Sequence, residues 1–184
     1  MRLAAVVLAA GKATRFGGDK LSASLDGEPL LHHAIRAARA APVKRVIVVT
    51  MKGLDIGQWP GTPMVTRVEI ASDALSTSLK AGVEAAGDVD GLFVFLGDMP
   101  RVPHPVAGRL AKALGDDYAA VPICNGKFGH PVLLSARSFA DLAGLAGDAG
   151  AGRLLKARAD FAHVECGDPG ILLDVDRPED LVGI

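Results

Sequence analysis

The sequence has little of several features that mark common protein classes. Its two cysteines, Cys124 and Cys166, form no CxxC pair, so a disulfide framework and a cysteine-rich metal centre are excluded. No apolar run approaches the ~20 residues that a membrane-spanning helix needs. The net charge of −1 gives no polybasic signal for nucleic acid or membrane surfaces. We therefore expect a cytoplasmic protein that binds small molecules, with no nucleic-acid or membrane partner.

Two familiar phosphate-binding motifs are also missing. The loop AAGKATRFGGDK, which follows the first apolar run, contains neither the GK[ST] of a P-loop nor GxGxxG. The second apolar run ends at Thr50 and Met51, where many NAD-binding proteins have an acidic residue. Both absences disfavour an NAD(P)-dependent oxidoreductase. That class remains an alternative, as does a nucleotide-binding module without turnover.

Apolar runs alternate with helix-like stretches in the first part of the chain, and this alternation predicts right-handed βαβ units. Runs that are apolar on both faces are typical of buried parallel strands. The predicted strands are Leu3–Ala9, Arg45–Val49 and Leu92–Leu96, and the predicted helices are Pro29–Ala41, with Pro29 at N1, Thr77–Ala86 and Pro105–Leu114. The pattern indicates a three-layer, Rossmann-like α/β fold with a mostly parallel sheet.

The later part of the chain is less regular. An Asn-Gly pair at Asn125 is a hairpin signal, so we expect one antiparallel strand in the sheet. DRPEDL predicts a short terminal helix. The predicted strands here are Tyr118–Ile123, Pro131–Leu134, Phe161–Glu165 and Ile171–Val175. With no linker or repeat in 184 residues, we expect one domain over residues 1–184.

The loop after the first strand combines glycine with positive charge. Gly11, Gly17 and Gly18 permit close backbone approach, and successive N–H groups in such a loop can bind an anion. Arg15 and Lys20 can add charge-assisted hydrogen bonds to phosphate oxygens. Because ligands bind beyond the carboxyl ends of strands in open α/β sheets, this loop predicts a phosphate site. A solvated connection is the alternative.

Carboxylates follow two other predicted strands. Asp98 comes directly after an apolar strand and a glycine, so it could hold Mg²⁺ or open the turn before Pro100. Asp174 and Asp176 alternate and would share one strand face. One of them is expected to join Asp98 at the metal and the other to cap the terminal helix. Asp176 is nearer that helix, which favours Asp174 as the second ligand.

Polar residues in two further loops are candidates for substrate contacts. His130, between Gly129 and Pro131, could contact the substrate or could be structural. SDALSTSLKAG places Asp73 and Ser78 around the predicted start of a helix. Helix capping explains one or two polar residues of this segment, and reading of a nucleobase could explain the others.

The same segments stand in an order that resembles a known family. The order is LAAGKATRFGGDK, SDALSTSLKAG, LGDMP, GHPVLL, GDAGAGRLL and LLDVDRPEDL. It is similar to that of the molybdenum cofactor nucleotidyltransferases, particularly the cytidylyltransferase branch, from Leu3 to Leu181. The resemblance implies a seven-stranded mixed sheet with helices on both faces, as in nucleotide-diphospho-sugar transferases.

The resemblance also implies a set of ligand contacts. It puts Mg²⁺ on Asp98, and it makes Lys20, Arg15 and Asp98 the catalytic residues. Ala10 stands where the guanylyl-transferring branch usually has glycine, which favours CTP over GTP. The nucleotide-binding residues expected on these grounds and from the loops above are Leu8, Ala9, Ala10, Gly11, Arg15, Lys20, Asp73, Ser78 and Asp98.

The function that we expect is therefore a Mg²⁺-dependent transfer of CMP from CTP to an acceptor, with release of pyrophosphate. The acceptor would be a small molecule that carries a phosphate, and the resemblance favours a molybdopterin-type cofactor. His130 would contact this substrate. A guanylyltransferase of the same family is the nearest alternative.

Overall fold

The computed structural model describes residues 1–11 and 15–184; Lys12, a third cation of the first loop, lies outside them. The strands are β1 Leu3–Ala9, β2 Ser24–Leu25, β3 Glu28–Pro29, β4 Arg45–Met51, β5 Met64–Ile70, β6 Gly91–Leu96, β7 Ala119–Cys124, β8 Lys127–Phe128, β9 Val132–Ser135 and β10 Phe161–Glu165. The helices are α1 Leu30–Arg39, α2 Leu75–Ala86, α3 Pro105–Ala113, α4 Phe139–Ala143 and α5 Ala151–Lys156.

One large sheet organises the described residues, in the strand order β10-β7-β9-β6-β1-β4-β5, with β8 paired to β7. β1 lies parallel between β4 and β6, and all of its residues are buried. Such a strand needs cover on both faces, which explains its unbroken apolar run. Helices α1 and α3 pack on one face, and α2, α4 and α5 pack on the other. The predicted three-layer α/β architecture is confirmed.

The antiparallel part of the sheet lies where the sequence predicts it. β9 is antiparallel to both of its neighbours, β6 and β7. The turn from β7 to β8 places Asn125 and Gly126 at φ of 50° and 73°, as the Asn-Gly signal predicts for a two-residue hairpin. The sheet is therefore mostly parallel, with β9 reversed among its seven principal strands and β8 as a short addition.

The predicted strand Ile171–Val175 is wrong. Residues Pro169–Leu172 form a 3₁₀ turn, and residues 171–175 make single hydrogen bonds to two different loops. The His130 N–H donates to the Ile171 carbonyl at 2.9 Å, and the Val175 N–H donates to the Asp98 carbonyl at 2.9 Å. Within the described residues these bonds form no continuous ladder, so Ile171 and Val175 are buried in the core without forming a strand.

Other boundaries also differ from expectation. Pro29 is the N-cap of α1 rather than its first helical residue, and α2 begins at Leu75. The terminal helix is a 3₁₀ turn over Pro178–Leu181. β5, α4 and α5 have no counterpart in the sequence prediction. Among the helices that the structure describes, none combines the length and the apolar character that crossing a bilayer requires.

Candidate functional site

A cavity of about 720 Å³ opens at the carboxyl ends of β1, β4 and β6, the place that the fold class predicts for a ligand. Its volume is in the range of small-molecule and cofactor sites. Every predicted nucleotide-binding residue lines it, namely Leu8, Ala9, Ala10, Gly11, Arg15, Lys20, Asp73, Ser78 and Asp98. The structure therefore brings together residues from three separate segments of the chain.

Gly97 allows the ends of β1 and β6 to meet at this cavity. Its N–H donates to the Leu8 carbonyl at 2.9 Å. A Cβ at Gly97 would lie 3.1 Å from that same oxygen and 3.1 Å from a methyl group of Leu31, so a larger residue would force the strands apart. This close approach places Asp98 beside the Leu8–Gly11 segment, in which Ala10 is buried.

Lys20 and Arg15 are tied to carboxylates. The Lys20 ammonium lies 2.7 Å from Asp98 Oδ2 and 3.7 Å from Asp176 Oδ1. The Arg15 guanidinium donates to Asp176 Oδ2. The Lys20 side chain is 11% exposed, so this ion pair is more shielded from water than a surface pair. Lys20 and Arg15, which are expected to bind phosphate, therefore form ion pairs with Asp98 and Asp176, which are candidates for metal binding.

Asp174 adds negative charge to the same region. Its pKa is raised, first by burial and then by the charges of Asp98 and Asp176, while Lys20 opposes the shift. The region therefore gathers three carboxylates around two cations. Oxygen donors with surplus negative charge fit a hard divalent cation such as Mg²⁺ or Mn²⁺.

Within the described parts of the chain, no three His, Cys, Asp or Glu side chains are grouped closely enough to hold a metal by themselves. Mg²⁺ commonly uses one or two carboxylates and completes its shell with water and substrate phosphates. The arrangement of Asp98, Asp174 and Asp176 is consistent with a metal that arrives with a nucleotide.

His130 lies beside this acidic group. Its Nδ1 is 3.3 Å from the Val94 carbonyl, which can only accept a hydrogen bond. This contact assigns the proton of the neutral ring to Nδ1 and leaves the lone pair on Nε2. Burial lowers the pKa of His130, against the opposing effects of the Val94 hydrogen bond and the charges of Asp98 and Asp174. His130 is not among the residues that line the cavity.

Asp176 differs from its sequence interpretation. It lines the cavity, whereas Asp174 is not among the lining residues. The expectation that Asp176 caps the terminal turn is wrong, because the Asp180 side chain accepts hydrogen bonds from the N–H groups of Asp176 and Arg177. The Asp176 carboxylate therefore faces Arg15 and Lys20.

Other lining residues were not predicted as site residues. Met51 ends β4, and Lys52, Gly53 and Leu54 follow it, so their place at the end of a strand was a usable signal. Leu75 at the start of α2 gave no signal, because a leucine in a helix is ordinarily a packing residue. The remaining unpredicted lining residues are Gly18, Asp19, Leu21 and Leu96.

Residues 5–164 match the family model of the MobA-like NTP transferase domain. The chain belongs to this family. It is therefore a nucleotidyltransferase, and the NTP transferase domain covers most of its length. The resemblance that the sequence motifs predict is confirmed.

Named relatives of this NTP transferase differ in their nucleotides. The purine catabolism protein PucB of Bacillus subtilis (strain 168) is 32% identical over 192 residues, which cover 97% of this chain and 93% of that protein. The molybdenum cofactor cytidylyltransferase of Escherichia coli (strain K12) is 26% identical, over 96% and 92%. A protein of Thermococcus sibiricus named "probable molybdenum cofactor guanylyltransferase" is 31% identical, over 68% and 63%.

Solved structures share the fold. The Mycobacterium sp. strain JC1 homologue of Mycobacterium tuberculosis Rv0371c superposes with a TM-score of 0.82 at 29% identity, covering 98% of this chain and 94% of that one. Rv0371c of M. tuberculosis H37Rv, in complex with manganese, superposes with a TM-score of 0.75 at 23% identity, covering 98% and 96%.

Proposed function

We propose that this NTP transferase moves CMP from CTP to the phosphate of a small acceptor of the molybdopterin type, and that it uses Mg²⁺. The observation that carries the proposal is the placement of Lys20, Arg15, Asp98 and Asp176 beside the buried Ala10 segment, in one cavity at the end of β1. One domain over residues 1–184 and a cytoplasmic location remain proposals from the sequence.

An oxygen of the acceptor phosphate attacks the α-phosphorus, and the bond to the bridging oxygen of the leaving pyrophosphate breaks. Lys20 and Arg15 bind phosphate oxygens and offset the charge that develops on pyrophosphate. The acceptor phosphate is already ionised, so no side chain needs to remove a proton. The contribution of the chain is therefore the positioning of two anionic substrates and the neutralisation of their charge.

Asp98, together with Asp174 or Asp176, would hold the metal, which when bound neutralises phosphate charge. His130 would contact the acceptor with its Nε2 lone pair, since Nδ1 faces Val94. Asp73 and Ser78 would lie against the nucleotide base. The Ser78 hydroxyl donates to the Ala74 carbonyl at 3.4 Å, which leaves its oxygen free to accept a hydrogen bond.

A screen for pyrophosphate release tests the proposal. The purified chain is incubated with Mg²⁺, each of the four NTPs and phosphate-bearing acceptors that include molybdopterin cofactor. Release with CTP that depends on the acceptor is the expected result. Release with GTP instead would identify a guanylyltransferase, and CTP binding without release would identify a binding module.

Ala10 is expected to contribute to the choice of base. Its side chain is buried and lines the cavity, so its methyl group narrows the space beside the Leu8–Gly11 backbone. Ala10→Gly removes this methyl and should admit the larger purine. We expect the ratio of kcat/KM for CTP to that for GTP to fall by roughly ten- to a hundredfold, the scale of a methyl-sized change in a pocket.

Ala9→Gly is the matched control: Ala9 also lines the cavity, but its methyl packs in the core against Gly97, so the variant loosens the same backbone without removing the Ala10 methyl. It should affect CTP and GTP alike. An unchanged ratio in Ala10→Gly, or a wild type that already prefers GTP, would refute the selection of cytosine by Ala10.

Asp176 is expected to hinder nucleotide binding in the absence of metal, because it holds both Arg15 and Lys20. Asp176→Asn should release these cations and remove one repelling charge. We expect the affinity for CTP in the presence of EDTA to rise about fivefold, which corresponds to the ~1 kcal/mol upper range for an exposed ion pair. Calorimetric titration measures this affinity.

Asp19→Asn is the control for Asp176→Asn. Asp19 lines the same cavity but accepts a hydrogen bond from Ser22, so its substitution changes the charge equally without releasing Arg15 or Lys20. An equally large gain in CTP affinity in Asp19→Asn would show that the effect comes from net charge and not from the release of Arg15 and Lys20. An unchanged CTP affinity in Asp176→Asn would contradict the prediction.

A further inference from the structure

The loop between α4 and α5, residues 144–150, packs against the first turn of α2. The Gly147 carbonyl accepts a hydrogen bond from the Ser76 N–H at 3.1 Å. Gly150 lies against Leu75 so closely that a Cβ on Gly150 would be 2.7 Å from Leu75 Cδ2 and 3.4 Å from Leu75 Cγ. The Leu75 side chain therefore fills the space that a side chain at residue 150 would otherwise occupy.

Leu75 also lines the ligand cavity, so the contact with Gly150 lies directly behind one cavity wall. This wall, which also includes Asp73, is on the α2 side of the cavity. Helix α2, which begins at Leu75, packs across β1, β4 and β5, whereas Asp98 follows β6 on the other side of β1. Adjacent strands are about 4.8 Å apart, so the α2 side of the cavity and the Asp98 side are offset by at least one strand spacing.

A nucleoside triphosphate has one highly charged end and one largely apolar, flat end. The charged end suits Lys20 and Arg15, and the base then extends past β1 toward α2. Leu75 and the buried Ser78 present one apolar and one polar group there. The position of the Leu75 side chain therefore sets how wide a base the cavity accepts.

We infer that Gly150 is a specificity-determining position of this enzyme, acting through Leu75. It lets Leu75 withdraw from the cavity, and any side chain at residue 150 pushes Leu75 toward the base. This inference rests on the proposed function, since it requires that a nucleotide base occupies this end. Gly150 is a positioning residue, because Leu75 and not Gly150 meets the ligand.

Gly150→Ala tests the inference. Gly150 has φ of −102°, so alanine fits its backbone without strain, and the predicted effect comes from the displaced Leu75 alone. We expect KM for CTP to rise about tenfold and KM for GTP to rise more, with kcat changed by less than about twofold, as a methyl-sized intrusion into a base pocket implies. Steady-state kinetics with both nucleotides measures these values.

Gly152→Ala is the matched control, two residues further along the chain in the first turn of α5. Among the described residues, no atom outside its chain neighbours and its own helix backbone would lie within 4 Å of a Cβ at Gly152, so this variant should keep both KM values. Thermal unfolding of all variants shows whether the fold is retained. A loss of stability without a change in KM would overturn the inference.

Leu75→Ala provides the coupling test. In this background the added methyl at residue 150 meets no leucine, so Gly150→Ala should cause no further change in either KM. An equal KM change with and without Leu75 would show that residue 150 acts by another route and would overturn the inference. Wild-type KM values in Gly150→Ala would overturn it as well.

The wild type separates this inference from the proposed function. If the wild type releases pyrophosphate and Gly150→Ala behaves identically, the inference alone fails. If the wild type neither binds nor turns over any NTP, the proposed function fails and the inference with it.

Discussion

Asp98→Asn is expected to lower the rate of nucleotidyl transfer at least ~100-fold, the scale of losing one strong electrostatic stabiliser at a reacting centre. The substitution keeps the size of the side chain and removes its charge. Asp98 lies closest to Lys20, follows β6 directly and borders the Leu8–Gly11 segment, so it is the carboxylate best placed for a metal that accompanies the triphosphate. Asparagine is a weaker ligand for Mg²⁺ because it is neutral.

The fold should survive this change. The Asp98 carbonyl, which accepts the Val175 N–H, is a backbone group and is unaffected. Pyrophosphate release as a function of Mg²⁺ concentration measures the loss, and thermal unfolding confirms folding. Asp88→Asn, which alters an exposed ion pair with Arg2, should retain full activity. Metal-dependent activity near the wild-type level in Asp98→Asn would end the metal hypothesis for this residue.

The sequence predicts the buried strands of the fold more fully than the exposed ones. β1 and β6 are buried on both faces, which is why their sequences are uninterrupted apolar runs. β5 was missed because it is an edge strand, and MVTRVEI mixes charged and apolar residues where one side is exposed. β10, at the other edge, was nevertheless predicted at its observed bounds, so an edge position alone does not hide a strand.

Local sequence can also mislead where long-range contacts decide the backbone. Residues 171–175 are apolar enough for a strand, yet a Cβ on Gly170 would meet the Arg101 carbonyl at 2.0 Å, so this segment is pressed against a loop. Its N–H and carbonyl groups find partners on residues 98 and 130. None of these contacts has a signature within the segment itself.

The candidate site also has a part that the sequence predicts and a part that only the folded chain shows. Its charged residues were found because Arg15, Lys20 and Asp98 stand in the segments that follow β1 and β6, and the topology of the sheet brings strand ends together. The orientation of the Asp176 carboxylate depends on Asp180, whose side chain accepts hydrogen bonds from the N–H groups of Asp176 and Arg177. The contact between Gly150 and Leu75 joins residues 75 positions apart, so only the folded chain shows it.

Lys20→Met is expected to lower both the affinity for CTP and the rate of transfer, with kcat/KM reduced about 100-fold. Methionine keeps much of the apolar stem and loses the ammonium, which would otherwise make charge-assisted hydrogen bonds worth about 1.5–3 kcal/mol to phosphate oxygens. The loss has a second part, because Lys20 holds down the pKa of Asp174 and pairs with Asp98. Without it, three carboxylates repel one another and the triphosphate together.

Stability should change far less than activity in Lys20→Met, by about 1 kcal/mol, since the Lys20 pair is only partly shielded from water. Calorimetric titration with CTP, the rate of pyrophosphate release and thermal unfolding measure the three quantities separately. Lys112→Met is the control, because Lys112 is an exposed residue in the last turn of α3. If Lys20→Met bound CTP and turned it over as Lys112→Met does, Lys20 would be a solvated loop cation. A fall in rate with unchanged affinity would instead show that Lys20 contacts the leaving pyrophosphate only in the transition state. The loss of an interaction that is absent from the ground state lowers kcat without weakening the binding of CTP.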